Sequence, residues 1–463
     1  MQREQTNLFE GIQELVEPEA NDSYLEGGAL SKHQQEAKQF ISTDNILESI
    51  LSRDNMRLAF KRVKENKGSP GIDNMTVEEL SSYLKENWQS IKEQILEGKY
   101  KPNAIRKVAI PKDSGGTREL GIPTVLDRLI QQAISQKLVE IYDSGFSAYS
   151  YGFRPGRNAQ QAVRQAKAYI DSGYENIVDL DIEKFFDRVN HDYLMSRIAR
   201  TILDKKLLLL IRRYLQAGVM EQGVIQMREE GTPQGSPLSP ILSNILLDEL
   251  DKELEQRGHR FVRYADDCTI YASSERAAHR IKSGINKFLE KRLKLHLNQD
   301  KSGVRKPDEI KILGYGFLKN KQGEWKIRIS KKAKEKLKKK LKRITSRIYS
   351  IAISKKIRAI NLIIRGWGNY FKLTELKNDF SEVDGWIRTR LRMCYWKNWK
   401  QPRTRAKELK ALGINEEDAI RWSYSRKGYA RMANSKVLKY SLTNEYFKKL
   451  GYFELTQLSA VVK

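Results

Sequence analysis

Alternating apolar and polar residues predict short β-strands in the first two thirds of the chain. In VDLDI, residues 178–182, the three apolar side chains share one face and Asp179 and Asp181 share the other. FVRYADDCTI, residues 261–270, has apolar and aromatic residues on both sides of an Asp–Asp pair, which predicts a β-hairpin with that pair at its tip. Two more segments predict β structure, a hairpin at residues 105–123 and a strand at residues 311–318.

Apolar residues spaced three and four apart predict helices between these strands. One stripe begins near residue 41 and ends at Gly68, where a Pro-Gly turn follows. Thr124 and Asp127 form a capping box ahead of a second apolar face, and residues 159–171 carry a third.

The composition changes near residue 330. Residues 331–343 hold nine basic side chains in thirteen, yet apolar residues recur with heptad-like spacing through Leu337, Leu341, Ile344, Ile348 and Ile351. This pattern predicts a helix with a narrow apolar seam and a basic outer face. Two more helices, rich in Arg and Trp, are predicted at residues 356–371 and 380–399. We therefore expect an α+β body to about residue 325 and a basic helical domain after it.

The charge balance indicates a polyanionic partner. The 463 residues include 85 Lys and Arg against 58 Asp and Glu, a net charge of +27. Nucleic acid is the commonest polyanion, and a merely solvated basic surface is the alternative. The two cysteines, Cys268 and Cys394, exclude a disulfide framework. No apolar run is long enough to span a membrane, and residues 1–40 are acidic rather than leader-like. We expect a cytoplasmic protein.

Three carboxylates form the candidate catalytic group: Asp181 at the end of one strand, and Asp266 and Asp267 at the hairpin tip. Oxygen-rich clusters suit Mg²⁺, which takes one or two protein carboxylates together with substrate phosphates. Two such ions about 4 Å apart clamp the attacking and leaving oxygens of a phosphoryl displacement. The alternative is that all three are surface aspartates.

Eight ordered sequence blocks resemble the reverse transcriptases encoded by bacterial group II introns, from about residue 44 to residue 440. The blocks are KGSPGID (67–73), IPKDSGGTRELGIPTVLDRLIQQAI (110–134), SYGFRPGR (150–157), VDLDIEKFFDRVNH (178–191), GTPQGSPLSPILSNILL (231–247), FVRYADDC (261–268), LNQDKSGV (297–304) and ILGYGFL (312–318).

The resemblance implies an α+β right-hand polymerase, with fingers and an antiparallel palm sheet with helices, followed by an all-α thumb and maturase domain. The implied organisation is an acidic extension at 1–40, fingers at 41–178, the palm at 179–325, the thumb and maturase domain at 326–440 and a tail at 441–463.

The resemblance also implies roles for the palm residues. Asp181, Asp266 and Asp267 would bind two Mg²⁺, with Mn²⁺ as a possible substitute, and the carbonyl of Ile182 would complete a metal shell. Phe186 matches the steric gate, whose ring clashes with a ribose 2′-OH and so favours dNTPs; a core position is the alternative for one of Phe185 and Phe186.

Four further positions match nucleotide-binding residues. Gln234 would lie beside the incoming nucleotide, in a loop whose glycines 231 and 235 permit close backbone approach. Lys112 and Arg118 would neutralise the triphosphate, although charges on a hairpin are often only a solvated edge. Lys301 matches a lysine proposed as general acid toward pyrophosphate.

In the C-terminal helices the resemblance implies nucleic-acid contacts, because interleaved Arg and Trp suit phosphate contacts and base stacking. The candidates are Lys338, Lys342, Arg365, Trp367, Arg388 and Arg392. The alternative is that the tryptophans are core anchors with basic residues outside them.

The expected function is RNA-directed DNA polymerisation for a group II intron, with intron RNA binding that supports splicing and retromobility. The partners would be an intron RNA template, a DNA primer or target and dNTPs, in a bacterial cytoplasm and near the nucleoid. The short segment after residue 440 leaves no room for an endonuclease of the HNH type, so target nicking is not expected. A domesticated reverse transcriptase in phage defence or DNA repair, and a non-catalytic splicing chaperone, are the alternatives.

Overall fold

The computed structural model describes residues 45–111, 117–221, 224–226, 230–232, 235–347 and 351–461. These described residues divide into two compact units, one within residues 45–158 and 178–304 and the other within residues 159–177 and 305–461. The predicted boundary at residue 178 lies one residue from an edge of these units, whereas residue 325 lies inside the second unit, which resumes at residue 305. The helix Ala159–Asp171 belongs to the second unit, where it packs on the strand Trp325–Ile329.

The first unit holds most of the strands. In chain order its elements are α1 (Ile46–Ile50), α2 (Arg53–Asn66), α3 (Leu80–Leu96), β1 (Ile105–Pro111), β2 (Thr117–Ile122) and α4 (Val125–Tyr142), then, after α5 (Ala159–Asp171) of the second unit, β3 (Asn176–Leu180), α6 (His191–Ile198), α7 (Lys205–Gln216), β4 (Val219–Glu221), β5 (Val224–Gln226), α8 (Ser239–Gln256), β6 (Arg260–Tyr264), β7 (Asp267–Ala272), α9 (Glu275–Phe288) and β8 (Gly303–Arg305).

The second unit is largely helical. Besides α5 it holds β9 (Tyr315–Lys319), β10 (Trp325–Ile329), α10 (Lys331–Ile344), α11 (Ile353–Tyr370), α12 (Lys377–Asn398), α13 (Pro402–Ala411), α14 (Glu416–Ser423), α15 (Tyr429–Ala433), α16 (Lys436–Ser441) and α17 (Asn444–Lys449). No helix among the described residues is long and apolar enough to cross a membrane.

Two four-stranded sheets organise the first unit, with strand orders β2-β1-β4-β5 and β6-β7-β3-β8. In the second sheet, Val178, Leu180 and Ile182 are at most 5% exposed while Asp179 and Asp181 are half-buried, which confirms the predicted alternation. β6 and β7 form the predicted hairpin, with Tyr264 opposite Asp267. α8 packs on this sheet and contributes an almost continuous buried face.

The capping box ahead of α4 is confirmed: Thr124 Oγ1 accepts a hydrogen bond from the amide of Asp127. The predicted seam through Ile351 is wrong, because α10 ends at Ile344. Directly after this end, the carbonyl of Thr345 accepts hydrogen bonds from Arg390 and Cys394 of α12. Ile351 is 45% exposed, and Ile348 lies outside the described residues.

The predicted tail, residues 441–463, is folded where the structure describes it, to residue 461. Phe447, Tyr452 and Leu455 are at most 2% exposed. Asp384 of α12 anchors the segment, since its carboxylate accepts hydrogen bonds from the Tyr452 hydroxyl at 2.7 Å and from the amide of Leu455 at 3.1 Å. The sequence pattern alone had no means of showing this contact across some seventy residues.

Candidate active site

Asp181 follows β3 directly, and its backbone is held from a distant segment. Ser302 Oγ accepts a hydrogen bond from the Asp181 amide at 2.9 Å and donates to its carbonyl at 3.2 Å. The amide of Asn298 donates to the same carbonyl at 2.9 Å. With its backbone held in this way, Asp181 presents a side chain that is 35% exposed.

Asp266 lies in the tight turn between β6 and β7, and Asp267 is the first residue of β7. Ala265, the residue before them, has φ +59°, a left-handed conformation that costs a non-glycine residue about 1–2 kcal/mol. The backbone of Gly152 lies directly against this turn: a Cβ added there would be 2.2 Å from the Ala265 nitrogen. Position 152 therefore has to be glycine for the turn to keep this conformation.

The carboxylates repel one another across this site. The pKa of Asp267 is raised to about 6, first by desolvation, then by the negative charges of Asp266, Asp179 and Asp181, and Lys301 opposes the shift. Lys301 Nζ lies 3.3 Å from an Asp181 carboxylate oxygen. Mutual repulsion of this kind is what a bound cation relieves.

The donor set fits hard divalent ions. Carboxylate oxygens are the protein ligands that Mg²⁺ prefers, and it completes its shell with water and substrate phosphates. Among the described residues, no group of three His, Cys, Asp or Glu side chains is close enough to enclose an ion by itself.

A cavity of about 880 Å³ opens over these residues. Its lining includes Asp181, Ile182, Asp266, Phe186 and Lys301, so five of the predicted site residues lie on one surface. Among these are the Phe ring proposed as a steric gate and the lysine proposed as an acid.

Phe186 is held in place from two sides. Phe185, 2% exposed, packs edge-on against it with ring centroids 5.2 Å apart, so Phe185 is the core member of the pair. The Phe186 carbonyl accepts a hydrogen bond from the Thr232 amide at 2.6 Å. Gly231, at φ +88°, has no room for a Cβ, which would lie 2.9 Å from the carbonyl oxygens of Phe186 and Asp187.

Three predicted nucleotide-binding residues cannot be placed in the same way. Lys112 and Gln234 lie outside the described residues, and of Arg118 the structure describes only the backbone, opposite Ile110 in the β1–β2 hairpin. Their roles remain predictions from the resemblance.

The candidates in the helical unit divide into two groups. Lys342 and Arg365 are exposed, and Arg365 lies over the Phe453 ring at 5.0 Å. Trp367 is half-buried and packs against Phe371 with centroids 4.8 Å apart.

The other three candidates make internal contacts. Lys338 contacts Glu382 at 2.7 Å and Arg388 contacts Glu454 at 3.2 Å. Arg392 is 6% exposed and donates twice to the carbonyl of Leu442. Burial and these hydrogen bonds indicate that Arg392 has a structural role rather than an RNA contact.

Sequence reasoning assigned no role to two residues that shape the site. Ser302 and Gly152 lie in blocks that carry the family resemblance, LNQDKSGV and SYGFRPGR, but nothing local marks what they contact. The only available signal was the glycine itself, a residue type suited to close backbone approach.

Two family descriptions match the chain. "Reverse transcriptase (RNA-dependent DNA polymerase)" matches residues 110–317, and "Group II intron, maturase-specific domain" matches residues 334–413. These matches confirm the predicted fold class, a right-hand polymerase followed by a helical thumb and maturase domain.

Individual relatives agree with this result. "Protein YkfC" of Escherichia coli (strain K12) is 30% identical over 62% of this chain and 86% of its own length. "Group II intron-encoded protein LtrA" of Lactococcus lactis subsp. cremoris is 34% identical over 55% of this chain, which spans 43% of that longer protein. Among solved structures, a partial Cas6-RT-Cas1–Cas2 complex matches 53% of this chain and 42% of that one, with 25% identity and a TM-score of 0.35. On the sequence matches, the chain belongs to the reverse transcriptase and maturase family of group II introns, a family of RNA-directed DNA polymerases.

Proposed function

We propose that this protein is an RNA-directed DNA polymerase that extends a DNA primer on an intron RNA template with dNTPs. The observation that carries the proposal is the convergence of Asp181, Asp266 and Lys301 on one cavity, with Asp267 next to Asp266 at the start of β7. The family uses divalent metal ions and acts on RNA and DNA. The specific choice of two Mg²⁺, with Mn²⁺ as a substitute, is part of the proposal.

Asp181, Asp266 and Asp267 would hold the ions, and the Ile182 carbonyl would contribute to one shell. Ions bound there supply Lewis-acid stabilisation of phosphate charge and activation of the attacking hydroxyl. Lys301 holds a proton at Nζ close to Asp181, on the cavity wall, where it can be given to the departing pyrophosphate.

Phe186 would set sugar selectivity, because its ring lines the cavity and its backbone is fixed by Thr232 and Gly231. A ring that cannot retreat excludes a 2′-OH by its volume. Lys112, Arg118 and Gln234 would complete the nucleotide site.

The helical unit would bind intron RNA and support splicing and retromobility. Its exposed basic residues, Lys342 and Arg365 among them, carry this part of the proposal, with Trp367 as a partly buried neighbour. Lys338 and Arg388 would contribute only if their carboxylate partners release them, and Arg392 is not included. A DNA primer or target would place the protein at the bacterial nucleoid, in the cytoplasm.

The test is extension of oligo(dT) on poly(rA) with dTTP and Mg²⁺. The protein should make product, and Asp266→Asn should reduce kcat by at least about 1,000-fold, the scale seen when a central catalytic group is removed. RNA binding, measured across a salt series, should stay unchanged in that variant. Absence of product from the intact protein would sink the polymerase proposal.

Sugar selectivity has its own test. Phe186→Val should raise incorporation of UTP relative to dTTP, because the smaller side chain leaves room for the 2′-OH. Phe60→Leu is the control, since Phe60 packs in the core outside the cavity lining and should alter stability without altering the ratio. An unchanged ratio in Phe186→Val would remove Phe186 from the gate.

A further inference from the structure

Arg263 places a fully buried guanidinium beneath the turn that carries Asp266 and Asp267. Its side chain and that of Asp251 are both 0% exposed, and they form a bidentate ion pair. Arg263 Nε donates to Asp251 Oδ1 at 2.7 Å, and Nη2 donates to Oδ2 at 2.6 Å. Its remaining nitrogen, Nη1, donates to Asn244 Oδ1 at 3.0 Å and to the Ala265 carbonyl at 3.0 Å.

The Ala265 carbonyl belongs to the peptide that joins Ala265 to Asp266. Because Ala265 is left-handed, this peptide plane needs an external contact to hold it. The guanidinium supplies that contact, and its planar, forked geometry allows little rotation once Asp251 occupies two of its nitrogens.

Asn244 extends the same network to the other side of the turn. Its amide nitrogen donates to the Gly152 carbonyl at 2.9 Å, and Gly152 is the residue whose backbone abuts Ala265. The backbone of Arg263 is also held, by hydrogen bonds with Tyr149 and Tyr151 at 3.0 and 2.9 Å. The turn is therefore fixed from beneath and from the side by groups that never reach the cavity.

Stability alone is a weak reason for this arrangement. A buried ion pair loses most of its attraction to desolvation, and apolar residues of similar volume often replace one without loss. What apolar residues cannot replace is a donor aimed at the Ala265 carbonyl.

We propose that Arg263, locked by Asp251 and Asn244, is a positioning residue that fixes the Ala265–Asp266 peptide and so holds Asp266 and Asp267 at the spacing from Asp181 that divalent ions require. The inference rests on the proposed function for its catalytic consequence, but its effect on ion binding is measurable without polymerisation.

The test compares Arg263→Met/Asp251→Leu, which removes both charges together, with Arg197→Met/Glu249→Leu, a control pair in the same unit that lies 2.5 Å apart and away from the turn. Mn²⁺ binding is measured by electron paramagnetic resonance without substrate, alongside kcat, the KM for dTTP and the melting temperature. We expect the Arg263 pair variant to bind Mn²⁺ about 10–100-fold more weakly, the scale for residues that orient metal ligands. Its kcat should fall by up to about 100-fold at a KM within about threefold, as for a small misplacement of reacting groups.

Arg263→Lys is the conservative variant, and it should recover part of the Mn²⁺ affinity because it keeps the charge beside Asp251. If the double variant does not fold, Arg263→Lys decides the question: it should still bind Mn²⁺ more weakly than the wild type. A folded variant with wild-type Mn²⁺ affinity overturns the inference. Wild-type protein that binds Mn²⁺ but makes no DNA would instead contradict the proposed function. The positioning role would then be decided by the Mn²⁺ affinities of the variants alone.

Discussion

The two segments that carry the catalytic carboxylates are held by different means. Asp181 follows an ordinary strand and is tied by hydrogen bonds from Ser302 and Asn298, which are neutral groups. Asp266 and Asp267 lie in a turn with a left-handed residue, tied by a buried ion pair and a backbone contact at Gly152. Asp181 also forms an ion pair with Lys301 on the cavity side, and this pair is exposed to solvent.

This difference predicts how the Asp181 segment and the Asp266–Asp267 turn each respond to substitution of their supporting residues. Neutral hydrogen bonds at a strand end contribute modestly and can be lost one at a time. A left-handed turn persists only while its surroundings hold it, and removing one partner of a buried ion pair is strongly destabilising, so each contact at the turn counts for more. We expect the turn to be the more sensitive half, and the predictions below proceed from the largest effect to the smallest.

Lys301→Met tests whether the charge beside Asp181 acts on the reaction or on the fold. The pair is 65% and 35% exposed, so it contributes little to stability. We expect the melting temperature to stay unchanged and kcat to fall by about 100-fold or more, the range for loss of a general acid. Single-turnover dTTP incorporation measures this, and Lys291→Met, an exposed lysine outside the cavity lining, is the control. A kcat close to that of the control would remove Lys301 from catalysis.

Gly152→Ala breaks the turn side of the comparison. The new Cβ would lie 2.2 Å from the Ala265 nitrogen, so the backbone must shift, at a cost of about 1–3 kcal/mol. Because that shift moves the carboxylates, kcat should fall by about 10–100-fold. Gly145→Ala is the matched control, since nothing lies within 4 Å of its added Cβ. Equal activities of the two variants would show that the turn does not depend on this contact.

Ser302→Ala breaks the strand side. Ser302 is 5% exposed, and its loss leaves the Asp181 amide without its partner, at a cost of about 1–3 kcal/mol. The Asn298 amide still holds the Asp181 carbonyl, so kcat should fall by less than in Gly152→Ala. Urea unfolding and the same polymerase assay measure both effects, with Ser196→Ala, whose hydroxyl is exposed, as the control. A larger loss of kcat than in Gly152→Ala would reverse the comparison.

The sequence predicted the strands at this site well and their supports poorly. In VDLDI and FVRYADDCTI the pattern of apolar and polar residues predicts which side chains face the core. Burial of one face of a sheet imposes such a pattern on any chain. The support of Asp181 comes from Ser302, 121 residues away, and no local pattern encodes such a pairing. Arg263 is the instructive case: an arginine in a strand predicts exposure, yet Asp251 of α8 neutralises it in the core.

The helical unit shows the same limit. Its heptad-like seam correctly predicts α10 but extends too far, since α10 ends at Ile344. Directly after that end, Arg390 and Cys394 of α12 donate to the Thr345 carbonyl, a contact that no local pattern encodes. Likewise, a run of Arg and Trp predicts an RNA-facing surface but cannot tell Arg365, which is exposed, from Arg392, which is buried. Which basic residues are available depends on carboxylates and carbonyls from other helices.

Glu382→Gln measures how much an ion pair away from the catalytic site contributes to stability. It is therefore a reference for the effect of losing the Lys301–Asp181 pair. Glu382 contacts Lys334 and Lys338 at 2.7 Å, and hydrogen bonds from these two lysines lower its pKa to about 2. Since the folded pKa lies below the unfolded one, its stabilisation is present above about pH 4.5 and is lost as the pH falls toward 2. The carboxylate is 51% exposed, so the loss at neutral pH should be at most about 1 kcal/mol.

Urea unfolding of wild type and Glu382→Gln at about pH 7 and about pH 4 measures this difference, which should narrow on acidification. DNA synthesis should be unaffected at neutral pH, because Glu382 lies in the helical unit and not in the lining of the catalytic cavity. If Glu382→Gln costs little stability and no activity while Lys301→Met costs little stability and most of the activity, then the charge of Lys301 acts on the reaction rather than on the fold. A difference that grows at low pH would instead mean that Glu382 is not held by its lysines, and the calibration would fail.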